Sequence, residues 1–359
     1  MNRLLFVLPS FSMGGLQKSG LVTINALIKA GYSVRGVLLY NTKDFFNISQ
    51  ELIIYRPSKQ SSNPIIKWIQ VLFHLYTTIR NSKQDYIIVY GKYYGALISL
   101  VVLFRPKVKI VISERNAPNF KMPYAYELFC SVMYFLKKPH LVLSQTKYAS
   151  QFHVIAYPKS HVKVFNNLFD TLDLTIPFEG DRQKRILVVG RFNDPLKGIE
   201  QVVEAFKGVI DIEWQLVIAG GNRGDDKKID LTVKQLEESG KNCEFLGKVT
   251  NLTPIYLTTS IFVLPSLSEG FPNSLVEAMQ HGLCCVVTKF NDGLLEIIEH
   301  GKDGIIIDNG DVNGISQSLN ELINDNERRS VISKNAIKST KKFEINNRIV
   351  ELKKLFDVS

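Results

Sequence analysis

The chain has 359 residues, 45% hydrophobic and 22% charged, which is too long for one ordinary core, too apolar for a disordered or fibrous protein, and suited to two domains. Lys and Arg outnumber Asp and Glu by 44 to 34, a formal +10 with a pI near 9.2, and this balance suits an anionic partner, whether nucleic acid, acidic lipid headgroups or a diphosphate. Cys130, Cys243, Cys284 and Cys285 have neither metal-ligand spacing nor the density of a disulfide scaffold, so a reducing compartment is expected and structural zinc is not.

In chain order, Arg3 to Pro9 reads as a buried strand. Gly14-Gly15 and a helical pattern follow it, where a secretory leader would show a small-residue cleavage site. Leu16, Leu21, Ile24, Leu27 and Ile28 recur at helical spacing up to Gly31, giving strand, glycine turn, helix. The order repeats as strand Ser33 to Leu39, helix Ile65 to Arg80, strand Tyr86 to Tyr90, helix Gly95 to Phe104 and strand Val108 to Ser113. The stretch Ile65 to Ile79 is interrupted by Lys67 and His74, and neither it nor Gly95 to Phe104 reaches the roughly 18 apolar residues of a membrane span. The aromatic and basic residues of Ile65 to Lys83 and Tyr90 to Lys109 suit either a patch that adsorbs to anionic lipid or core packing with solvated charge around it.

A second start comes at Arg185 to Gly190, with a loop to Gly198 and a helix over Ile199 to Val209. Strands are expected at Trp214 to Ala219, Cys243 to Leu246, Ile261 to Pro265, Cys284 to Thr288 and Gly304 to Ile307. Helices are expected at Lys227 to Ser239, Asn273 to Gln280 and Val312 to Asn324, and Ser333 to Val358 reads as helical and Lys-rich. Continuous apolar strands separated by helices imply parallel sheets covered on both faces. The expected organisation is therefore an N-terminal domain 1–165, a linker 166–184, a C-terminal domain 185–340, and a last helix 341–359 that packs back on the first domain.

Two doubly wound sheets bind ligands outside the carboxyl ends of their strands, where the 190s loop, Gly14-Gly15 and Glu269 are expected. In Glu269-Gly-Phe-Pro-Asn-Ser-Leu-Val-Glu277 two carboxylates bracket a Gly/Pro loop and a helix start. The amides of Asn273, Ser274 and Leu275 would offer free N–H groups to a phosphate. Ser274 and Glu277 equally fit a capping box, in which Glu277 bonds its own helix. Arg191 and Lys197, on the loop from Gly190 to Gly198, could neutralise the charge of a departing diphosphate or stand as solvated cations. Gly14 and Gly15 would let backbone approach a ligand, or simply form a turn. Glu114, Arg115 and Asn116 follow another strand and could meet sugar hydroxyls or hydrogen-bond their own loop. The chain lacks a P-loop, a Gly-x-Gly-x-x-Gly turn, a His-x-x-x-His pair and a Gly-x-Ser-x-Gly elbow, which disfavours nucleotide hydrolysis, nicotinamide chemistry, metal hydrolysis and serine acyl transfer.

Taken in order, these motifs resemble the retaining glycosyltransferases of family four (glycosyl transferases group 1), whose GT-B fold is two Rossmann-like doubly wound α/β domains facing across a cleft. Gly247-Lys248-Val249, before Tyr256 and Ser260, is similar to the family's base-contacting loop. The resemblance implies that Arg191 and Lys197 hold the donor diphosphate, that Glu269 meets the transferred sugar and that Glu277 holds the ribose. It further implies that the backbone at Asn273 to Leu275 holds the distal phosphate together with Gly15, and that Val249 meets the base through its main chain. Many relatives carry a histidine where this chain has Arg115. No cofactor and no metal are implied. The implied partners are a nucleotide-sugar donor, with a UDP-sugar favoured, and a glycan or polyprenyl-diphosphate-linked acceptor of bacterial-type surface polysaccharide synthesis. Nucleic acid is not among them, and the expected location is cytoplasmic, peripheral on the inner membrane face. A sugar-nucleotide 2-epimerase of the same fold, or a non-enzymatic module that binds anionic surfaces, are the alternatives.

Overall fold

A computed structural model describes residues 2–172, 182–192 and 194–356; residues 173–181 of the expected linker and 357–359 of the expected last helix lie outside the described residues. The chain divides into two compact units, one formed by Met1–Asp170 with Phe343–Ser359 and the other by Thr171–Lys342.

The first unit runs β1 (Arg3–Leu8), α1 (Gly15–Lys29), β2 (Ser33–Leu38), β3 (Ile53–Tyr55), α2 (Pro64–Asn81), β4 (Tyr86–Tyr90), α3 (Lys92–Val101), β5 (Lys109–Ser113), α4 (Tyr124–Leu136), β6 (Leu141–Ser144), α5 (Lys147–Ala156) and β7 (His161–Val164). Its seven strands form one parallel sheet in the order β3-β2-β1-β4-β5-β6-β7. Successive strand side chains point to opposite faces, and both faces are covered. Leu4, Phe6 and Leu8 enter one core cluster, while Leu5 and Val7 enter the other. This double burial is why the strands read as unbroken apolar runs rather than alternating ones.

The second unit runs β8 (Gln183–Val189), α6 (Ile199–Phe206), β9 (Gln215–Ala219), α7 (Lys227–Glu238), β10 (Asn242–Gly247), α8 (Thr253–Thr258), β11 (Thr259–Leu264), α9 (Asn273–Gln280), β12 (Cys284–Thr288), β13 (Ile305–Ile307), α10 (Val312–Asn324) and α11 (Asn326–Thr340). Its sheet is parallel in the order β10-β9-β8-β11-β12-β13. All six carboxyl ends therefore lie along one edge.

Two sequence expectations are corrected. The helix expected from Gly95 begins at Lys92, after Gly91 with φ 92°, and Gly95 lies inside it. A Cβ at Gly95 would stand 2.6 Å from Ile112 Cδ1 and 2.7 Å from Tyr134 Oη, so the glycine lets α3 lie close to β5 and α4. The helical segment expected over Ser333 to Val358 is interrupted by a 3-10 turn at Lys341–Phe343, after which α12 (Ile345–Lys354) continues. The break follows from Phe343, which is buried in the first unit with its ring 6.4 Å from that of Phe169. Phe169 also pairs with this segment through its backbone, with Phe169 N bonded to Phe343 O at 3.0 Å and Ile345 N to Phe169 O at 2.9 Å. Beyond the break, Leu352, Leu355 and Phe356 join the core of the first unit beside Tyr86 and Tyr32.

Candidate functional site

At the carboxyl edge of the second sheet, β8 ends at Val189 and the chain crosses Gly190 and Arg191 to a 3-10 turn at Pro195–Lys197. Asp194 starts that turn by accepting from Leu196 N at 3.3 Å. Gly198 closes it with φ 60°, and a Cβ there would lie 2.2 Å from Pro265 O. Only glycine permits both that backbone conformation and that approach, and the result is a turn pressed onto the end of β11. Leu267 N then donates to Leu196 O at 2.8 Å.

The loop after β11 is fixed from its other side as well. Thr288 Oγ1 donates to Ser266 O at 2.8 Å, Asn309 Nδ2 to Leu267 O at 3.2 Å and Asn291 Nδ2 to Glu269 O at 3.0 Å. These anchors place the Glu269 carboxylate where Lys197 Nζ donates to Oε1 at 2.7 Å and Ser266 Oγ donates to the same oxygen at 2.8 Å. The Lys197 and Glu269 side chains are 25% and 12% exposed. Thus two residues 72 apart in sequence meet as a half-buried, charge-assisted pair. Arg191 is not part of this pair: its side chain is 56% exposed and donates to Asp194 Oδ2 at 2.7 Å. Sequence reasoning missed Ser266, Asn291, Asn309 and Asp194. The first three were legible in principle as polar residues just past the carboxyl ends of parallel strands.

α9 begins at Asn273 with Pro272 in the cap position and no side-chain cap hydrogen bond. Ser274 is therefore inside the helix, and the capping box left open by the sequence is not formed. The three amides expected to be free are also corrected. Asn273 N donates to Phe271 O at 3.0 Å across a tight turn before the helix, and Leu275 N to Pro272 O at 3.1 Å, an i→i+3 bond that tightens the first turn. The Ser274 amide is the one of the three without such a partner. Glu277 lies one turn on, beside the buried Tyr256, whose hydroxyl is held well above its ordinary pKa by burial and then by the Glu277 carboxylate. Val249 follows β10 at the outer edge of the sheet, separated from β11 by β9 and β8. Among the described residues no cluster of His, Cys, Asp and Glu could hold a metal ion.

In the first unit Gly14 occupies the cap position of α1, and its φ of 167° is extended backbone open to any residue. Glu114 is buried, and Tyr157 Oη donates to its carboxylate; burial raises the Glu114 pKa. Arg115 lies over the Tyr90 ring, 4.8 Å from its centroid. With the Gln145 amide oxygen turned toward it, Gln145 accepts from Arg115 Nη1 at 3.2 Å. Asn116 is exposed. The structure thus groups Arg191, Lys197, Glu269, Asn273, Ser274, Leu275 and Glu277 on one sheet edge, and separately groups Glu114, Arg115 and Asn116 after β5.

Residues 175–339 match the family described as glycosyl transferases group 1. An uncharacterized glycosyltransferase of Haemophilus influenzae is 23% identical over 334 residues, 90% of each chain. The Campylobacter jejuni GalNAc-α-(1→4)-GalNAc-α-(1→3)-diNAcBac-PP-undecaprenol α-1,4-N-acetyl-D-galactosaminyltransferase is 20% identical over 354 residues, covering 97% of this chain and 96% of its own. Among solved structures, that of Anabaena HepE in complex with UDP-glucose superposes with a TM-score of 0.77 over 100% of both chains at 16% identity. With two parallel-sheet α/β units, this match over residues 175–339 and glycosyltransferase relatives along nearly its whole length, the chain is a glycosyltransferase of GT-B fold whose second half resembles the group 1 glycosyl transferases.

Proposed function

We propose that this glycosyltransferase works with retention and without a metal, moving a sugar from a UDP-sugar to a lipid-linked or glycan acceptor in bacterial surface polysaccharide synthesis at the cytoplasmic face of the membrane. The observation that carries the reading is the Lys197–Glu269 pair, set rigidly beside the α9 N-terminus at the carboxyl edge of a parallel sheet. Lys197 and Arg191 supply positive charge to the leaving diphosphate, each giving up a carboxylate partner as it does so. Exchange is cheap for Arg191, because an exposed ion pair is worth only about 0–1 kcal/mol. Glu269, released from Lys197 but still held by Ser266, turns to hydroxyls of the transferred sugar. The Ser274 amide and the positive end of α9 face the distal phosphate, Glu277 with Tyr256 behind it takes the ribose, and the Val249 main chain meets the base.

On the first unit, Arg115 and Asn116 are the groups available to a sugar or acceptor, since Glu114 is tied up inside. Cations and a helix terminus can meet the charge demand of a departing diphosphate without an added ion. The Campylobacter relative is named for a PP-undecaprenol-linked acceptor and HepE was crystallised with UDP-glucose, which supports the acceptor and donor classes.

A panel of nucleotide sugars, screened first for thermal stabilisation and then for nucleoside diphosphate release, tests the reading. A UDP-sugar is expected to raise Tm, and diphosphate release is expected to require an acceptor. Release without an acceptor, coupled to 2-epimerisation of the sugar, would assign the chain to the epimerase reading instead. NMR of the product's anomeric centre tests retention directly.

A further inference from the structure

α2 contains no Asp or Glu, and apolar side chains cover two of its faces. Val71, Leu75 and Ile79 are buried in the core with Leu5 and Val37. Ile65, Ile69, Phe73 and Tyr76, spaced i, i+4, i+8 and i+11, are exposed, Phe73 by 67%. α4 repeats the pattern: Cys130 and Tyr134 are buried, while Tyr124, Leu128, Val132 and Phe135 are exposed at the same spacing, Phe135 by 77%. A helix with apolar residues all round is normally covered all round. A pocket of about 360 Å³ lies between the first turns of the two helices, lined by Ile65, Trp68, Tyr93, Tyr126 and Phe129 among others. Within it, Trp68 Nε1 donates to Tyr93 Oη at 3.1 Å.

Charge says what covers this surface. Residues 1–170 carry 21 Lys and Arg against 6 Asp and Glu, a formal +15, whereas residues 171–359 carry 23 against 28, a formal −5. The whole basic excess lies on the stretch that bears the exposed apolar faces. Around them, Lys121 precedes α4, Lys138 follows it, and Lys159 Nζ stands 5.4 Å from the centre of the exposed Phe135 ring. The only carboxylate on either helix, Glu127, is paired with Lys92. A second copy docked through the same face would bring the same positive field to the contact and be repelled by it. A surface that is apolar below and anionic above satisfies both features.

We propose that the outer faces of α2 and α4, with the aromatic pocket between them, dock the chain on an anionic lipid bilayer. Phe73, Ile69, Leu128 and Phe135 enter the headgroup boundary, and the flanking lysines meet lipid phosphates. The inference gives a place on the chain to the membrane site of the proposed function and rests on that reading for its purpose. Its test needs no sugar donor, so the two can fail separately.

Full-length chain is floated with phosphatidylcholine vesicles and with vesicles in which about a third of the lipid is phosphatidylglycerol. The parent is expected to float with the anionic vesicles, less so at high salt. Phe73→Asp with Phe135→Asp is expected to lower partition at least about tenfold while keeping the parent's Tm. Leu231→Asp with Val331→Asp, an equal change of charge at residues 60% and 53% exposed on α7 and α11, is expected to float like the parent. Flotation of the double variant equal to the parent overturns the proposal. So does a parent that ignores anionic vesicles but forms a concentration-dependent dimer which the double variant abolishes.

Discussion

Lys197→Ala separates a catalytic cation from a structural one. The Lys197–Glu269 pair, at 2.7 Å with side chains 25% and 12% exposed, lies between a surface ion pair and a fully buried one. Glu269 keeps the Ser266 hydroxyl as a donor at 2.8 Å when the lysine is gone. The stability cost is then about 1–2 kcal/mol, or roughly 2–8 °C of Tm for a unit of this size. The loss in turnover is expected to be much larger, about 10²–10³-fold in kcat, because a preorganised charge aimed at a leaving group is worth about 3–4 kcal/mol in the transition state. Nucleoside diphosphate release at saturating donor, read beside a thermal melt of the same preparation, gives both numbers. Arg191→Ala sharpens the comparison, since its exposed side chain predicts a Tm change within about 0.5 kcal/mol together with loss of transfer. Turnover within about threefold of the parent in Lys197→Ala, with the Tm drop present, would mean that the pair only holds two loops together.

Glu269→Ala is expected to reduce kcat more than Glu277→Ala if, as proposed, the first meets the reacting sugar and the second the distant ribose; equal effects confined to KM in both variants would remove that distinction. Gly198→Ala is expected to cost about 1–3 kcal/mol, since the new Cβ would sit 2.2 Å from Pro265 O at a φ of 60°; an unchanged melting temperature would contradict it. Burial, aided by Lys92, holds the His153 pKa down to about 4 from an ordinary 6.5. The native state therefore binds fewer protons than the unfolded chain between those values. Stability should fall as pH is lowered through that window, by at most about 3 kcal/mol, and chemical denaturation of His153→Gln should show a flatter dependence. Excess EDTA in the transfer assay is expected to leave the rate within about twofold.

Strands buried on both faces were the most legible part of the sequence. Tyr86–Tyr90 and Cys284–Thr288 coincide with β4 and β12, and the amphipathic Asn273–Gln280 and Val312–Asn324 with α9 and α10. α4 was not anticipated because its outer face is as apolar as its inner one, so no 3.6-residue alternation of apolar and polar marks it. The break after Thr340 was illegible for a different reason: Phe343 leaves the helix to fill a space beside Phe169, a contact across 174 positions of sequence that no local window contains. Arg191, Lys197 and Glu269 could be chosen from strand-end position and charge type. That Lys197 would reach Glu269 while Arg191 turned to Asp194 depends on the Gly198–Pro265 approach, which spacing does not encode. The tight turns at the start of α9, which take up the Asn273 and Leu275 amides, were equally hidden, because Pro272 at the cap gives no sign of which carbonyls those amides will find.

The return of α12 to the first unit sets the order of events during synthesis. Thr171–Lys342 is one uninterrupted span and can complete its interior as soon as it leaves the ribosome. The N-terminal unit emerges earlier yet waits, because Leu352, Leu355 and Phe356 are made only after the span of the second unit is complete. A nascent chain thus finishes its second body before its first, and a stop codon just upstream of α12 would harm the end of the protein that is translated first.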